Sequence, residues 1–134
     1  MSFKKNKYKI LRGAVSVELT KFIYAYFLNK RSTARFMFDQ RYLSPYNKEW
    51  GVWNDAQVPN TYTHYSDTAM ETLLQLLNKK MDQETGLKLS PTYSFARIYK
   101  KGDVLVRHKD RYSCEVSTTI HLGGEPWPIY LDPT

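Results

Sequence analysis

The feature that most constrains the fold is a change in the spacing of apolar residues near Pro91. Before this point, apolar residues recur three and four positions apart, as they do on one face of an α-helix. After it, apolar and polar residues alternate with a period of two, which is typical of β-strands. Helices that precede strands, rather than alternating with them, predict an α+β fold. Since the chain has 134 residues, a prior of about 150 residues per domain predicts a single domain over residues 1–134.

The first helix is predicted over about residues 17–30, with Ser16 as its N-terminal cap. Its apolar positions have helical spacing and are interpreted as a core face: Leu19, Phe22, Ile23, Tyr26 and Phe27. The stretch at 44–65 contains two prolines and no sustained periodicity, so it is predicted as a long loop. Its aromatic residues predict either a substrate-facing lid or packing over the core: Trp50, Trp53, Tyr62 and Tyr65.

A second helix is predicted to start near Asp67 and to end at Gly86. Thr68 and Glu71 have the spacing of a capping box at its start. Glycine is the residue type that most readily forms a left-handed C-terminal cap. The apolar positions between these ends form another core face, which consists of Met70, Leu73, Leu74, Leu77 and Met81.

Four short segments after Pro91 are predicted as strands. They are rich in β-branched and aromatic residues and are separated by the turn-forming sequences KKG, RYS and GGEP. The predicted strands are TYSFARIY, DVLVRHKD, CEVSTTIHL and WPIYL, at 92–99, 103–110, 114–122 and 127–131. Within the second of them, His108 and Asp110 are two positions apart, so their side chains project from the same face.

An imidazole nitrogen and a carboxylate oxygen on one face can bind the same metal ion. His108 and Asp110 would provide two of the three ligands in the 2-His-1-carboxylate triad of non-haem Fe(II) oxygenases. The competing interpretation is a surface histidine and aspartate at the end of a strand. The two residues alone do not decide between these interpretations.

The surrounding segment resembles the 2-oxoglutarate- and Fe(II)-dependent oxygenases of the prolyl 4-hydroxylase-like group. The resemblance covers about residues 91–131 and is carried by Tyr99, Gly102, His108, Asp110, Ser117, Thr118 and Leu122. It implies a double-stranded β-helix, or jelly roll, with the N-terminal helices packed on one outer side and the metal in the mouth of the barrel. Only the first strands of such a barrel are present in this chain.

The resemblance also implies site residues and cofactors. Tyr99 matches an aromatic residue beside the co-substrate, and His121 occupies a position where a tyrosine that touches the co-substrate is often found. Arg97 would share their side of the sheet and is a candidate for holding a carboxylate. The implied metal is Fe(II), bound by His108 and Asp110, and the implied co-substrates are 2-oxoglutarate and O₂, with ascorbate as a further candidate cofactor.

One part of the family pattern is absent from the sequence. The pattern requires a distal histidine and a following arginine or lysine that grips the far carboxylate of 2-oxoglutarate. His64 and His121 are the only other histidines, and neither has the placement of a third ligand. We therefore expect the sequence to be the N-terminal portion of a longer enzyme and to be inactive by itself. The alternatives are strands supplied by another chain, or a degenerate metal site.

The implied activity is hydroxylation of a peptide or protein substrate of the prolyl type. The alternatives are an oxidative nucleic-acid demethylase of the AlkB type, which would use the formal charge of +7 to hold phosphates, and a catalytically inactive basic binding module. Five positive charges near the N-terminus have no acid between them and form either a solvated arm or a nucleic-acid contact: Lys4, Lys5, Lys7, Lys9 and Arg12.

The single cysteine, Cys114, cannot form an intramolecular disulfide, which fits a reducing compartment. The N-terminus lacks the apolar stretch of a signal peptide core. No segment has the roughly 18 apolar residues of a membrane span. The sequence therefore predicts a cytoplasmic protein with no membrane partner. It leaves the oligomeric state open.

Overall fold

The computed structural model describes residues 2–133 of the chain. Its elements in chain order are α1 (Phe3–Asn6), α2 (Val17–Asp39), β1 (Tyr62–Tyr65), α3 (Thr68–Thr85) and β2 (Phe95–Ile98). The two strands form an antiparallel pair in which Tyr62 lies opposite Ile98 and Tyr65 lies opposite Phe95. The prediction of a fold that mixes helices and strands is confirmed, with a sheet of two strands.

Helix α2 begins where the sequence predicts. The Ser16 side chain accepts a 3.2 Å hydrogen bond from the Leu19 amide, which satisfies one of the unpaired donors of the first turn. The helix continues past the predicted end at residue 30 to Asp39. No glycine or proline interrupts residues 31–39, and the fully buried Ala34 extends the core face into this part of the helix.

Helix α3 is capped by Asp67, whose side chain accepts a 3.1 Å hydrogen bond from the Met70 amide. The predicted capping box therefore does not form. Glu71 instead accepts a 2.7 Å bond from the Ser94 amide and ties α3 to the chain that enters β2. Gly86 ends the helix in the left-handed conformation, at φ 70°, and donates to the Asp82 carbonyl at 2.9 Å.

The core lies between the two long helices and the strand pair. Its buried residues are Ile23, Phe27, Ala34, Tyr62, Met70, Leu73 and Ala96. The predicted long loop contributes to this core, because Trp53 packs its ring 4.6 Å from that of Tyr62 and Trp50 is partly buried beside them. Of the two interpretations of these aromatic residues, packing over the core accounts for Trp50, Trp53 and Tyr62.

The predicted strands at 103–110, 114–122 and 127–131 are wrong, because β2 is the last strand of the described residues. The segment 92–99 forms a strand only at Phe95–Ile98. A strand needs a neighbour that completes its hydrogen bonds. Within the described part of 104–134, the only bond between main-chain groups joins the Cys114 amide to the Arg111 carbonyl. Alternating apolar and polar residues favour a strand, but they cannot provide the neighbouring strand that it must pair with. The jelly roll therefore stays a prediction.

Side-chain contacts hold the C-terminal segment against the rest of the fold. The Trp127 ring stacks on that of Tyr99 at 4.6 Å, and Ile120 and Leu122 pack against the core. At the other end of the chain, the Nζ atom of Lys9 forms a 2.6 Å ion pair with Glu84 at the end of α3. This part of the basic N-terminal run is thus a packed segment rather than a freely solvated arm. No helix within residues 2–133 has both the length and the hydropathy needed to cross a bilayer.

Candidate functional site

His108 and Asp110 lie side by side, as their spacing predicts, although the backbone there is not a strand. Nε2 of His108 is 3.3 Å from Oδ1 of Asp110. Nδ1 of the same ring is 2.8 Å from the Val106 carbonyl oxygen. Because a carbonyl only accepts, Nδ1 carries the proton, and in the neutral ring Nε2 keeps its lone pair. The neutral ring can therefore bind a metal through Nε2, whereas in the protonated ring Nε2 donates to Asp110.

Ser117 holds the Asp110 carboxylate in this orientation. Its hydroxyl donates a 2.8 Å hydrogen bond to Oδ2 of Asp110, so the other oxygen is the one that faces His108. Two ligand atoms each about 2.1 Å from an ion and at right angles lie about 3 Å apart. The observed separation fits two adjacent ligand positions, and the side chains of His108 and Asp110 are 32% and 49% exposed, so an ion can reach them.

A third ligand is not assembled at this place. Among residues 2–133, no three side chains of His, Cys, Asp or Glu are grouped so that they could hold one ion together. His121 is exposed and forms no hydrogen bond or ion pair with another described residue. Its predicted role in the pocket stays a prediction.

Arg97 and Tyr99 are brought together, and Arg97 already holds a carboxylate. Its Nη1 donates to the Tyr99 hydroxyl at 3.0 Å, its Nε donates to Oδ2 of Asp55 at 2.7 Å, and its Nη2 donates to Oε1 of Gln57 at 2.9 Å. Tyr99 is fixed further by its nearly parallel stacking on Trp127, with 19° between the rings. In this arrangement the guanidinium positions Tyr99 and secures the 55–57 loop.

A second cluster of polar side chains, not predicted from the sequence, lies between α2 and α3. Asp67 is completely buried, and its Oδ2 accepts from the Tyr26 hydroxyl at 2.6 Å and from Lys30 Nζ at 2.5 Å. Lys30 Nζ is also 3.0 Å from Nδ1 of His64 on β1. We call these four residues the buried polar cluster. Its members come from three elements, which is why no single stretch of sequence revealed it.

The protonation states within the buried polar cluster follow from its geometry. Burial alone raises the pKa of Asp67, but the hydrogen bonds from Lys30, Tyr26 and the Met70 amide outweigh burial and lower it to about 2. For His64, burial lowers the pKa, and the Lys30 charge lowers it further against the opposing effect of Asp67. The cluster therefore contains a charged pair, Lys30 and Asp67, beside a neutral imidazole at pH 7.

The proton of His64 can be placed as well. An ammonium group has three donors and no acceptor, so Nδ1 of His64 must accept from Lys30. The ring proton then sits on Nε2. The 3.3 Å approach of Nδ1 to Asp67 is for this reason not an ion pair.

Two open clefts adjoin the buried polar cluster, and Lys30 and Glu49 line both of them. The first, of about 380 Å³, is lined by Lys30, Lys48, Glu49, His64, Tyr65, Ser66 and Thr68. The second, of about 460 Å³, is lined by Tyr26, Asn29, Lys30, Thr33, Glu49 and Trp50. The sequence carried one partial signal for this site, namely the helical spacing of Tyr26 and Lys30, which places both on one face of α2.

Comparison with known proteins gives no relative. No family model, no curated protein and no solved structure matches the chain. The function proposed below is therefore inferred from this geometry and from the motif around His108.

Proposed function

We propose that the chain provides two iron ligands, His108 and Asp110, of a 2-oxoglutarate- and Fe(II)-dependent dioxygenase. The observation that carries this proposal is the 3.3 Å approach of His108 Nε2 to Asp110 Oδ1. In the neutral ring both atoms present lone pairs to each other, because the ring proton is held on Nδ1 by Val106. A divalent cation bound between the neutral ring and the carboxylate would accept both lone pairs.

Two neighbouring groups, one of the main chain and one of a side chain, support such a site without contacting the ion. The Val106 carbonyl fixes the imidazole orientation, and the Ser117 hydroxyl fixes the carboxylate. When bound, Fe(II) would supply the chemistry that couples decarboxylation of 2-oxoglutarate to oxidation of a C–H bond by O₂. The task of these residues is to hold the ion in one geometry.

For the co-substrate, we propose that Tyr99 contacts 2-oxoglutarate and that Arg97 acts mainly by positioning Tyr99. Arg97 donates to the Tyr99 hydroxyl while Asp55 neutralises its charge. A carboxylate of 2-oxoglutarate would have to compete with Asp55 for the guanidinium. The resemblance implies that the far carboxylate of 2-oxoglutarate would bind a different basic residue, which the family pattern places after its distal histidine.

The jelly roll belongs to this proposal as well. Between residues 104 and 131, the only hydrogen bond between main-chain groups is that of Cys114 with Arg111, and four aliphatic side chains of the predicted strands are exposed: Val104, Val106, Ile129 and Leu131. A backbone with free donors and acceptors and with alternating apolar side chains is suited to pairing with further strands. Those strands would also bring the third ligand.

The substrate class rests on the resemblance alone, which favours a peptide or protein of the prolyl type. The formal charge of +7 favours the AlkB-type alternative, because a basic surface attracts phosphates. The salt dependence of substrate binding separates the two. Binding of DNA that weakens steeply as salt increases supports the demethylase, whereas binding that is insensitive to salt contradicts it.

The metal site is tested by Fe(II) titration of the chain under anaerobic conditions. We expect one weak site, because an ion with two protein ligands depends on water for its other positions. His108→Ala and Asp110→Asn should each abolish it, whereas the matched variant His121→Ala should leave it unchanged. Binding that survives in both His108→Ala and Asp110→Asn would overturn the assignment.

The activity is tested by succinate formation from 2-oxoglutarate with added Fe(II). We expect the 134-residue chain to show none without a third ligand. Robust turnover by this chain that is abolished by His121→Ala would instead make His121 the third ligand. Turnover that persists in His108→Ala would contradict the proposed function.

A further inference from the structure

His64 has one ring nitrogen that is used within the fold and one that is not. Its side chain is 8% exposed, and Nδ1 accepts from Lys30. No described residue accepts from the N–H at Nε2. Nε2 is also not completely enclosed, because the only enclosed side-chain atom without a partner in the described part of the chain is Ser94 Oγ. The free N–H of this nearly buried ring therefore keeps access to solvent, and His64 lines the cleft of about 380 Å³.

The first turn of α3 lies at the same cleft, which Thr68 also lines. Asp67 satisfies the Met70 amide, but the amides of Thr68 and Ala69 have no acceptor inside the helix. A helix of 18 residues carries a partial positive charge at this end. Backbone N–H groups at such an end bind anions well when a second donor is present beside them.

One positively charged side chain at the cleft, Lys48, has no acidic partner among the described residues. Lys30 is balanced by Asp67 at 2.5 Å. Lys48 and Glu49 are both exposed and form no ion pair with another described residue. Lys48 can thus neutralise a bound anion, and Glu49 opposes one.

We propose that this cleft binds an oxyanion, the carboxylate or phosphate group of a small molecule, which accepts from Nε2 of His64 and from the first turn of α3. Lys48 supplies the balancing charge, and the cleft volume of about 380 Å³ is within the range of small-molecule sites, about 300–1,000 Å³. This cleft shares no residue with the proposed iron site, so each can bind its ligand without the other.

Binding of an anion at Nε2 depends on the protonation state of His64. In the absence of a ligand, His64 is neutral, because burial and Lys30 lower its pKa. An anion can accept from this neutral ring directly, because Nε2 already carries the ring proton. A second proton would have to sit on Nδ1, where it would displace the hydrogen bond from Lys30, so anion binding needs no proton uptake at His64.

The test follows the His64 ring signals of the chain by NMR during titration with inorganic phosphate and, separately, with acetate. We expect a saturable shift of the His64 signals with at least one of them. Saturation by phosphate alone or by acetate alone identifies the source of the oxyanion. Shifts that increase linearly, and equally for chloride, would overturn the proposal.

Substitutions of two exposed residues test the proposed site without disturbing the core. Lys48→Gln should weaken binding about fivefold and Glu49→Gln should strengthen it by a similar factor, as expected for single exposed charges. Changes in the same direction, or no change in either, would contradict the site. His108→Ala should not affect the affinity for phosphate or acetate, so failure here and failure of the iron site are distinguishable.

Discussion

The hydroxyl of Tyr26 donates a 2.6 Å hydrogen bond to Oδ2 of Asp67, across 41 positions of sequence. The same carboxylate caps α3 through its Oδ1, which accepts from the Met70 amide. One buried side chain thus both starts α3 and fixes its position against α2. Lys30 completes the arrangement by balancing the charge, so the fold and the lining of the nearby cleft depend on the same group.

Asp67→Asn should destabilise the fold by about 3 kcal/mol, because removing one partner of a buried ion pair leaves the other uncompensated. The amide can still accept from Met70, but it cannot balance Lys30, whose side chain is only 12% exposed. Urea denaturation measures the free energy of unfolding. Glu115→Gln removes an exposed carboxylate and should change this free energy by less than about 0.5 kcal/mol. Equal losses in the two variants would contradict the role of Asp67.

The stability of the chain should fall in acid through Asp67. Its pKa is about 2 in the folded chain and about 3.9 when unfolded, so the unfolded state binds more protons between these values. The contribution is complete above about pH 4 and is lost as the pH falls to about 2, with a total on the order of 2 kcal/mol. Urea denaturation at a series of pH values checks this, and the Asp67→Asn variant should lack that part of the decline.

We expect His64 to cause a second decline in the free energy of unfolding, at a higher pH than the decline caused by Asp67. Burial and the Lys30 charge lower its pKa in the folded chain, so folding favours the neutral ring. This contribution is present above the unfolded pKa of about 6.5 and is lost as the pH falls below it toward the folded value. In His64→Gln the free energy of unfolding should be flatter with pH just below 6.5. An unchanged slope would show that His64 does not titrate with folding.

The helix ends that could be predicted are those set by local chemistry. Ser16 and Gly86 act within one turn of their own position, so the sequence around them is sufficient. The far end of α2 carries no such residue and is set at Arg41, a non-glycine residue in the left-handed conformation at φ 59°. Strand β1 was not predicted because Tyr62, Thr63 and His64 are all buried. Burial on both faces removes the alternation that identifies a strand.

The same distinction applies to the two sites. The approach of His108 to Asp110 agrees with their spacing, although the strand from which it was predicted does not form. The buried polar cluster could not be predicted, because Lys30 of α2 and Asp67 at the start of α3 meet only in the folded chain. Likewise, the bond between Arg97 and Asp55 joins residues 42 positions apart. Such contacts depend on tertiary packing, which periodicity does not encode.

Alanine substitutions at Gly51 and Gly102 distinguish the cost of a steric clash from the cost of backbone strain. Both have φ 90°, but a Cβ at Gly51 would lie 2.5 Å from the Tyr62 ring, whereas a Cβ at Gly102 would meet nothing within 4 Å. Gly102→Ala should therefore cost only the strain of its conformation, about 1–2 kcal/mol. Gly51→Ala should cost about 1–3 kcal/mol more, because the core around Tyr62 must shift. Thermal unfolding measures the difference, and equal losses would mean that Tyr62 can move freely.

Ser117 should influence metal binding without touching the metal. Its hydroxyl holds Oδ2 of Asp110 at 2.8 Å, and loss of such an outer-shell bond lowers metal affinity by about 10–100-fold. Ser117→Ala should therefore weaken Fe(II) binding by at most this factor, whereas Asp110→Asn should abolish it. Ser113→Ala, an exposed serine on the same segment that forms no hydrogen bond with another described residue, is the control and should leave the affinity unchanged. Fe(II) titration of the three variants distinguishes the cases. If Ser117→Ala binds Fe(II) as tightly as the unmodified chain, the orientation of Asp110 that binds the metal does not depend on this hydroxyl.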